Sequence, residues 1–130
     1  MTTLFIIDDR ESVRNALAQR LSRVTGIHIV GSAGTGHDGV NLIRVTRPDV
    51  VLIEPKLADG QGLDALRRIR TENPDVRVIV LTSYLDDFER QVALKLGAER
   101  YLLKNIDSPG LAEAILGQND VPPERRRDSA

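Results

Sequence analysis

The chain has no cysteine, which excludes disulfides, thiolate metal sites and cysteine nucleophiles and suits a reducing compartment. It has no excess of basic charge. Eighteen Lys and Arg stand against 19 Asp and Glu, for a net charge of −1, so the domain as a whole has no electrostatic hold on nucleic acid or an anionic membrane. Long apolar runs are missing too. The opening MTTLFIIDDR carries four apolar residues in a row that end in two aspartates. That is too short and too acidic for a signal peptide or a membrane span, and a cytoplasmic protein without membrane contact is the expectation. No internal repeat is visible. What is present, 130 residues of which 41% are hydrophobic and 28% charged, is enough for one compact domain with an apolar core.

Short apolar runs at 4–7, 27–30, 50–53, 76–81 and 101–103 are mostly rich in β-branched residues and are bounded by polar, Gly or Pro residues; they read as strands. Between them apolar residues recur at helical spacing: Val13, Ala16, Leu17, Leu21 and Val24; Val40, Ile43 and Val45; Leu63, Leu66 and Ile69; Phe88, Val92 and Leu96. A fifth helix starts near Ser108-Pro109, with serine capping, proline in the first turn, and Leu111 and Ile115 as the buried face. Alternating strands and helices with near-continuous apolar strands predict an α/β fold, a doubly wound five-stranded parallel sheet with helices on both faces. The last residues, QNDVPPERRRDSA, have two adjacent prolines and almost nothing apolar. They divide the chain into a domain over residues 1–118 and a polar linker or tail over 119–130.

In open parallel sheets the ligand site lies beyond the carboxyl ends of the strands. Those ends carry Asp8 and Asp9, Glu54, Thr82 and Ser83, and Lys104. Three carboxylates held together repel one another unless a cation sits among them, and hard oxygen ligands favour magnesium. Lys104 adds a positive charge and Thr82 a hydroxyl, so the set is equipped to hold a phosphoryl group beside a divalent ion.

In this order, Asp8-Asp9 after FII, the stretch PDVVLIEPKLADGQGLDALRRIR, VLTSY and YLLK resemble the motifs of a response-regulator receiver domain, across roughly residues 3 to 117. Each motif alone is weak; together, at the ends of the right strands, they are strong. The resemblance implies a flavodoxin-like sheet of order 2-1-3-4-5 and a signal-input role in a two-component system, not an enzyme. It also implies magnesium held by Asp8, Asp9, the residue at 54 and the backbone carbonyl of Lys56. The phosphoacceptor position is 54; Thr82 and Lys104 contact the phosphoryl group; Thr82 and Tyr101 form the switch. KLADGQGLDAL and LTSY further resemble the subgroup with a LuxR- or NarL-type helix-turn-helix output domain. The implied partners are a sensor histidine kinase, a second copy through the 84–116 face, and DNA only through an output domain that this sequence does not contain.

The sequence departs from that family at its centre. Receivers carry aspartate where this chain has Glu54, and the extra methylene moves the carboxylate outward by about 1 Å, a displacement that can slow a positioned reaction about a hundredfold. Magnesium binding is weakened by the same change. Pro55 follows directly and biases Glu54 toward extended backbone, and Ala58 stands where the family usually has proline; such altered neighbours point to natural divergence. Two roles remain open for Glu54: imitation of the phosphorylated state near Thr82 and Lys104, or a permanent ion pair with Lys104 that freezes the switch. A working phosphoacceptor is the alternative function, and a small phosphohydrolase a remoter one. Simpler roles compete elsewhere: Asp8-Asp9 capping the first helix, Thr82 and Ser83 capping the fourth, Tyr101 edging the core. His28, His37 and Arg125 to Arg127 are read as ordinary surface residues, and Gly34-Thr35-Gly36 as a turn before a helix.

Overall fold

A computed structural model describes residues 1–117; the tail expected over 119–130 lies outside the described residues. Within them strands and helices alternate: β1 Thr2–Ile7, α1 Glu11–Ser22, β2 Ile27–Ala33, α2 Gly36–Thr46, β3 Val50–Ile53, α3 Gly62–Glu72, β4 Arg77–Thr82, α4 Asp87–Lys95, β5 Arg100–Leu103 and α5 Ser108–Leu116. The five strands form one sheet of order β2-β1-β3-β4-β5, with each adjacent pair parallel. The fold class and strand order are those expected.

The period-two alternation of strand side chains divides the core into two layers. Phe5, Ile7, Val51, Ile53, Val78 and Val80 pack with Val40, Ile43, Leu66 and Ile69 on one face of the sheet. Leu4, Ile6, Val50, Leu52, Ile79 and Leu81 pack with Leu17, Leu21, Leu111 and Ile115 on the other. Three stripe assignments made from the sequence are corrected. Ala16 on α1 is exposed, and α1 packs through Val13, Leu17, Ala18 and Leu21 instead. Val45 is 80% exposed and Phe88 77% exposed. Val45 lies about 200° around α2 from Ile43, so it points away from the sheet, while α4 buries only Ala93. The cap expected at Ser108 is corrected, and the competing cap roles of Asp8-Asp9 and of Thr82 and Ser83 are not found. Asp107, not Ser108, caps α5 through the Gly110 amide, Asp86 rather than Thr82 or Ser83 caps α4, and no side chain caps α1. Thr35 caps α2, which suits the turn expected at residues 34–36.

One close approach fixes the loop after β3. A Cβ on Gly62, the first residue of α3, would come within 2.2 Å of the Pro55 carbonyl oxygen and 2.8 Å of that of Glu54. Backbone cannot yield as a flexible side chain can. Gly62→Ala is therefore expected to destabilise the fold by about 1–3 kcal/mol, read as a lower denaturation midpoint in urea, and to displace Glu54.

Candidate functional site

Parallel pairing carries the backbone one residue past the strands and so aims the site. The amide of Asp8 donates to the Ala33 carbonyl at 3.1 Å, that of Glu54 to Ile7 at 3.0 Å, and that of Lys104 to Thr82 at 2.8 Å. Three side chains that would otherwise leave for solvent are thereby held over the sheet edge. Asp8 is 2% exposed and Glu54 6%, and polar groups buried this far need partners.

Lys104 is that partner for both. Its Nζ lies 2.6 Å from Asp8 Oδ2 and 3.1 Å from Glu54 Oε2. The second distance is that of an ion pair without an aligned hydrogen bond, and Glu54 Oε2 is otherwise unpartnered. Burial pushes the Glu54 carboxyl above its ordinary range; the Lys104 ammonium and the Lys56 amide oppose this, and the charge of Asp8 adds to it. Asp8 is saturated: its Oδ1 accepts the Arg10 amide at 2.9 Å, and its carbonyl accepts Arg14 Nη1 at 2.7 Å.

Of the expected site residues, the structure brings together Asp8, Glu54 and Lys104. Asp9 is exposed, just past the last ladder bond. Among the described residues no group of three or more His, Asp or Glu side chains is placed to hold a metal ion. The donors fit magnesium in kind, being hard carboxylate oxygens, but not in number, because only Asp8 and Glu54 meet and the cation between them is an ammonium. Thr82, 1% exposed, donates its hydroxyl to the Tyr84 carbonyl at 3.0 Å and so faces the loop after β4.

Tyr101 is directed inward and is 9% exposed. Its hydroxyl donates to Glu89 Oε1 at 2.7 Å and accepts the Asp86 amide at 3.2 Å. Burial and the Glu89 hydrogen bond hold its phenol above the ordinary range, with the Thr82 hydroxyl close enough to act in the opposite sense. Sequence reasoning missed three residues here. Glu89 also takes Lys56 Nζ at 2.7 Å, Lys56 lies over the Tyr84 ring at 4.8 Å, and Arg14 braces Asp8 from α1. The signal for Glu89 was present, since Asp86 and Glu89 have the spacing of a capping box. Lys56 was considered only for its carbonyl, and Arg14 had no distinguishing mark.

The family model of the response regulator receiver domain matches residues 4–116. The chain is 34% identical over 115 residues to the DNA-binding transcriptional activator DevR/DosR of Mycobacterium tuberculosis, covering 88% of this chain and 53% of that protein. It is 35% identical over 124 residues to the transcriptional regulatory protein LiaR of Bacillus subtilis, covering 95% and 59%. It thus spans little more than half the length of these relatives. Among solved structures it resembles a LuxR-family two-component response regulator from an Aurantimonas species, with a TM-score of 0.83, 27% identity and coverage of 88% of this chain and 82% of that one. It is also similar to a LuxR-family DNA-binding response regulator from Staphylococcus aureus, with a TM-score of 0.81, 26% identity and coverage of 88% and 96%. Such domains receive signals and are not enzymes. The chain belongs to the response-regulator receiver domains and is related to the LuxR-family transcription regulators.

Proposed function

We propose that this receiver is held in one state by an internal ion cluster in place of a phosphoryl group, and that it is the input half of a regulator acting on a DNA-binding output. The observation that carries this reading is the Lys104 ammonium standing 2.6 Å from Asp8 and 3.1 Å from Glu54. A lysine that would meet an incoming phosphoryl group already has two anionic partners, and Glu54 reaches toward the space the group would need. Of the two roles open for Glu54, this geometry favours the permanent ion pair.

Asp8 and Glu54 are the carboxylates that meet at the strand ends, and Lys104 already neutralises both, so magnesium, if taken up, would be held weakly. A sensor histidine kinase is the upstream partner in this class of system; here it would meet a domain that accepts phosphate poorly. The names of DevR/DosR and LiaR support a transcriptional output. Exposed Tyr84, Leu85 and Phe88 support the 84–116 face as the surface for a second copy or the output domain. No described helix is long and apolar enough to cross a membrane.

Intact-mass spectrometry after incubation with acetyl phosphate and magnesium tests the reading. The unaltered chain is expected to keep its mass, and a stable adduct in high yield overturns the locked state in favour of a working phosphoacceptor.

A further inference from the structure

The start of α4 is built in an unusual way. Asp86 at the cap accepts the Glu89 amide at 2.8 Å, the first half of a capping box. In the full motif the glutamate side chain would return to the amide of the capping residue. Here the Tyr101 hydroxyl is inserted between them: it accepts the Asp86 amide at 3.2 Å and donates to Glu89 Oε1 at 2.7 Å. The other Glu89 oxygen takes Lys56 Nζ at 2.7 Å, with the Glu89 side chain 11% exposed and that of Lys56 40% exposed.

The first turn of α4 is thus completed by a residue of β5 and held by a residue two positions after Glu54. The helix has little else to hold it, since Ala93 is its one buried residue and Phe88 projects into solvent. Lys56 also caps the ring of Tyr84, whose carbonyl accepts the Thr82 hydroxyl, so the loops after β3 and β4 are joined through the same lysine.

We propose that Lys56, Glu89 and Tyr101 form a latch that keeps Tyr101 inward and the first turn of α4 formed. Lys56 and Glu89 act as positioning residues: they touch neither Asp8 nor Lys104, and they set where Tyr101 and α4 stand. The inference rests on the receiver reading of Tyr101 as the switch residue, but not on Glu54 being closed to phosphate.

Amide hydrogen exchange on the full chain, without acetyl phosphate, tests it. In Tyr101→Phe and Glu89→Ala the amides of Glu89 and Arg90 are expected to exchange about tenfold faster, as the loss of about one hydrogen bond's net stabilisation requires. Lys56→Met should give a smaller change in the same turn, and the amides of β1 and β3 should stay as they are. Glu89→Gln, which keeps an acceptor for the Tyr101 hydroxyl, should recover much of the protection lost in Glu89→Ala. A Tyr84→Phe background leaves Tyr101 as the chain's one tyrosine. There the phenol should ionise at lower pH once Glu89 becomes alanine, a response that general loosening far from the hydroxyl would not give. Unchanged exchange at Glu89 and Arg90 in Tyr101→Phe and Glu89→Ala, or equal acceleration throughout β1 and β3, overturns the latch. Neither result bears on whether the domain takes phosphate, so the two readings fail separately.

Discussion

Glu54→Asp is expected to acquire a phosphoryl adduct from acetyl phosphate and magnesium at least about a hundredfold faster than the unaltered chain, seen by intact mass and mapped to residue 54. The argument is one of reach. Shortening the side chain by one methylene withdraws the carboxylate by about 1 Å, and misplacement on that scale is worth about two orders of magnitude in a positioned reaction. The shorter side chain also gives up its hold on Lys104, now 3.1 Å from Glu54 Oε2, and leaves the ammonium with Asp8 as its one anionic partner and so better able to meet phosphoryl oxygens as charge develops on them. The backbone is already set for the attack, because the amide at 54 is fixed to Ile7. An adduct on neither protein would show that the pocket as a whole has left phosphate chemistry, with Lys104 bound at 2.6 Å to Asp8 as the first cause to examine.

The sheet was legible because its signal is redundant. Most strands contain a short apolar run, and a buried parallel strand such as β3 needs no finer pattern. The carboxyl-end rule then named Asp8, Glu54, Thr82 and Lys104, and all four stand at the edge where it placed them. Failures came where a side chain's direction depends on one or two residues of context. Val45 looked like part of a stripe by proximity to Ile43, yet it lies across the helix from it. Phe88 is apolar at the right spacing from Val92, but α4 docks through Ala93, and no local pattern announces how lightly a helix is attached. Asp9 is adjacent to Asp8 in sequence, but the ladder ends between them, and one step past it a carboxylate faces water.

The latch was hidden for a different reason. Lys56 and Glu89 are 33 residues apart and look like two ordinary surface charges. Only the fold brings the loop after β3 against α4, and only the inward Tyr101 converts the cap at Asp86 into a three-element contact. Long-range polar pairs have no periodicity to betray them, whereas hydrophobic burial does.

Lys104→Met is expected to destabilise the domain by about 3 kcal/mol at neutral pH, measured by urea denaturation. Methionine keeps much of the volume and removes the charge, leaving Asp8 and Glu54 buried side by side without a cation, and breaking a buried pair in this way typically costs about 3–5 kcal/mol. The low end applies because the Lys104 side chain is 18% exposed and water can approach. The loss should depend on pH in a definite sense. Burial raises the Glu54 carboxyl above 4.5, so the native state binds its proton more tightly than the unfolded chain. This contribution is fully present below the ordinary carboxylate range and disappears as pH rises through the raised value. Removing the ammonium takes away the main opposing influence and pushes that value higher, so the deficit of Lys104→Met should be greatest near neutrality and shrink as the solution is acidified. Adding Glu54→Gln should return part of the stability and flatten the pH dependence, because one of the two unpaired charges is gone. A Lys104→Met protein as stable as the unaltered chain, with the same pH profile, would mean that the ammonium does not neutralise the buried pair, and the ion cluster would lose its claim to hold the switch.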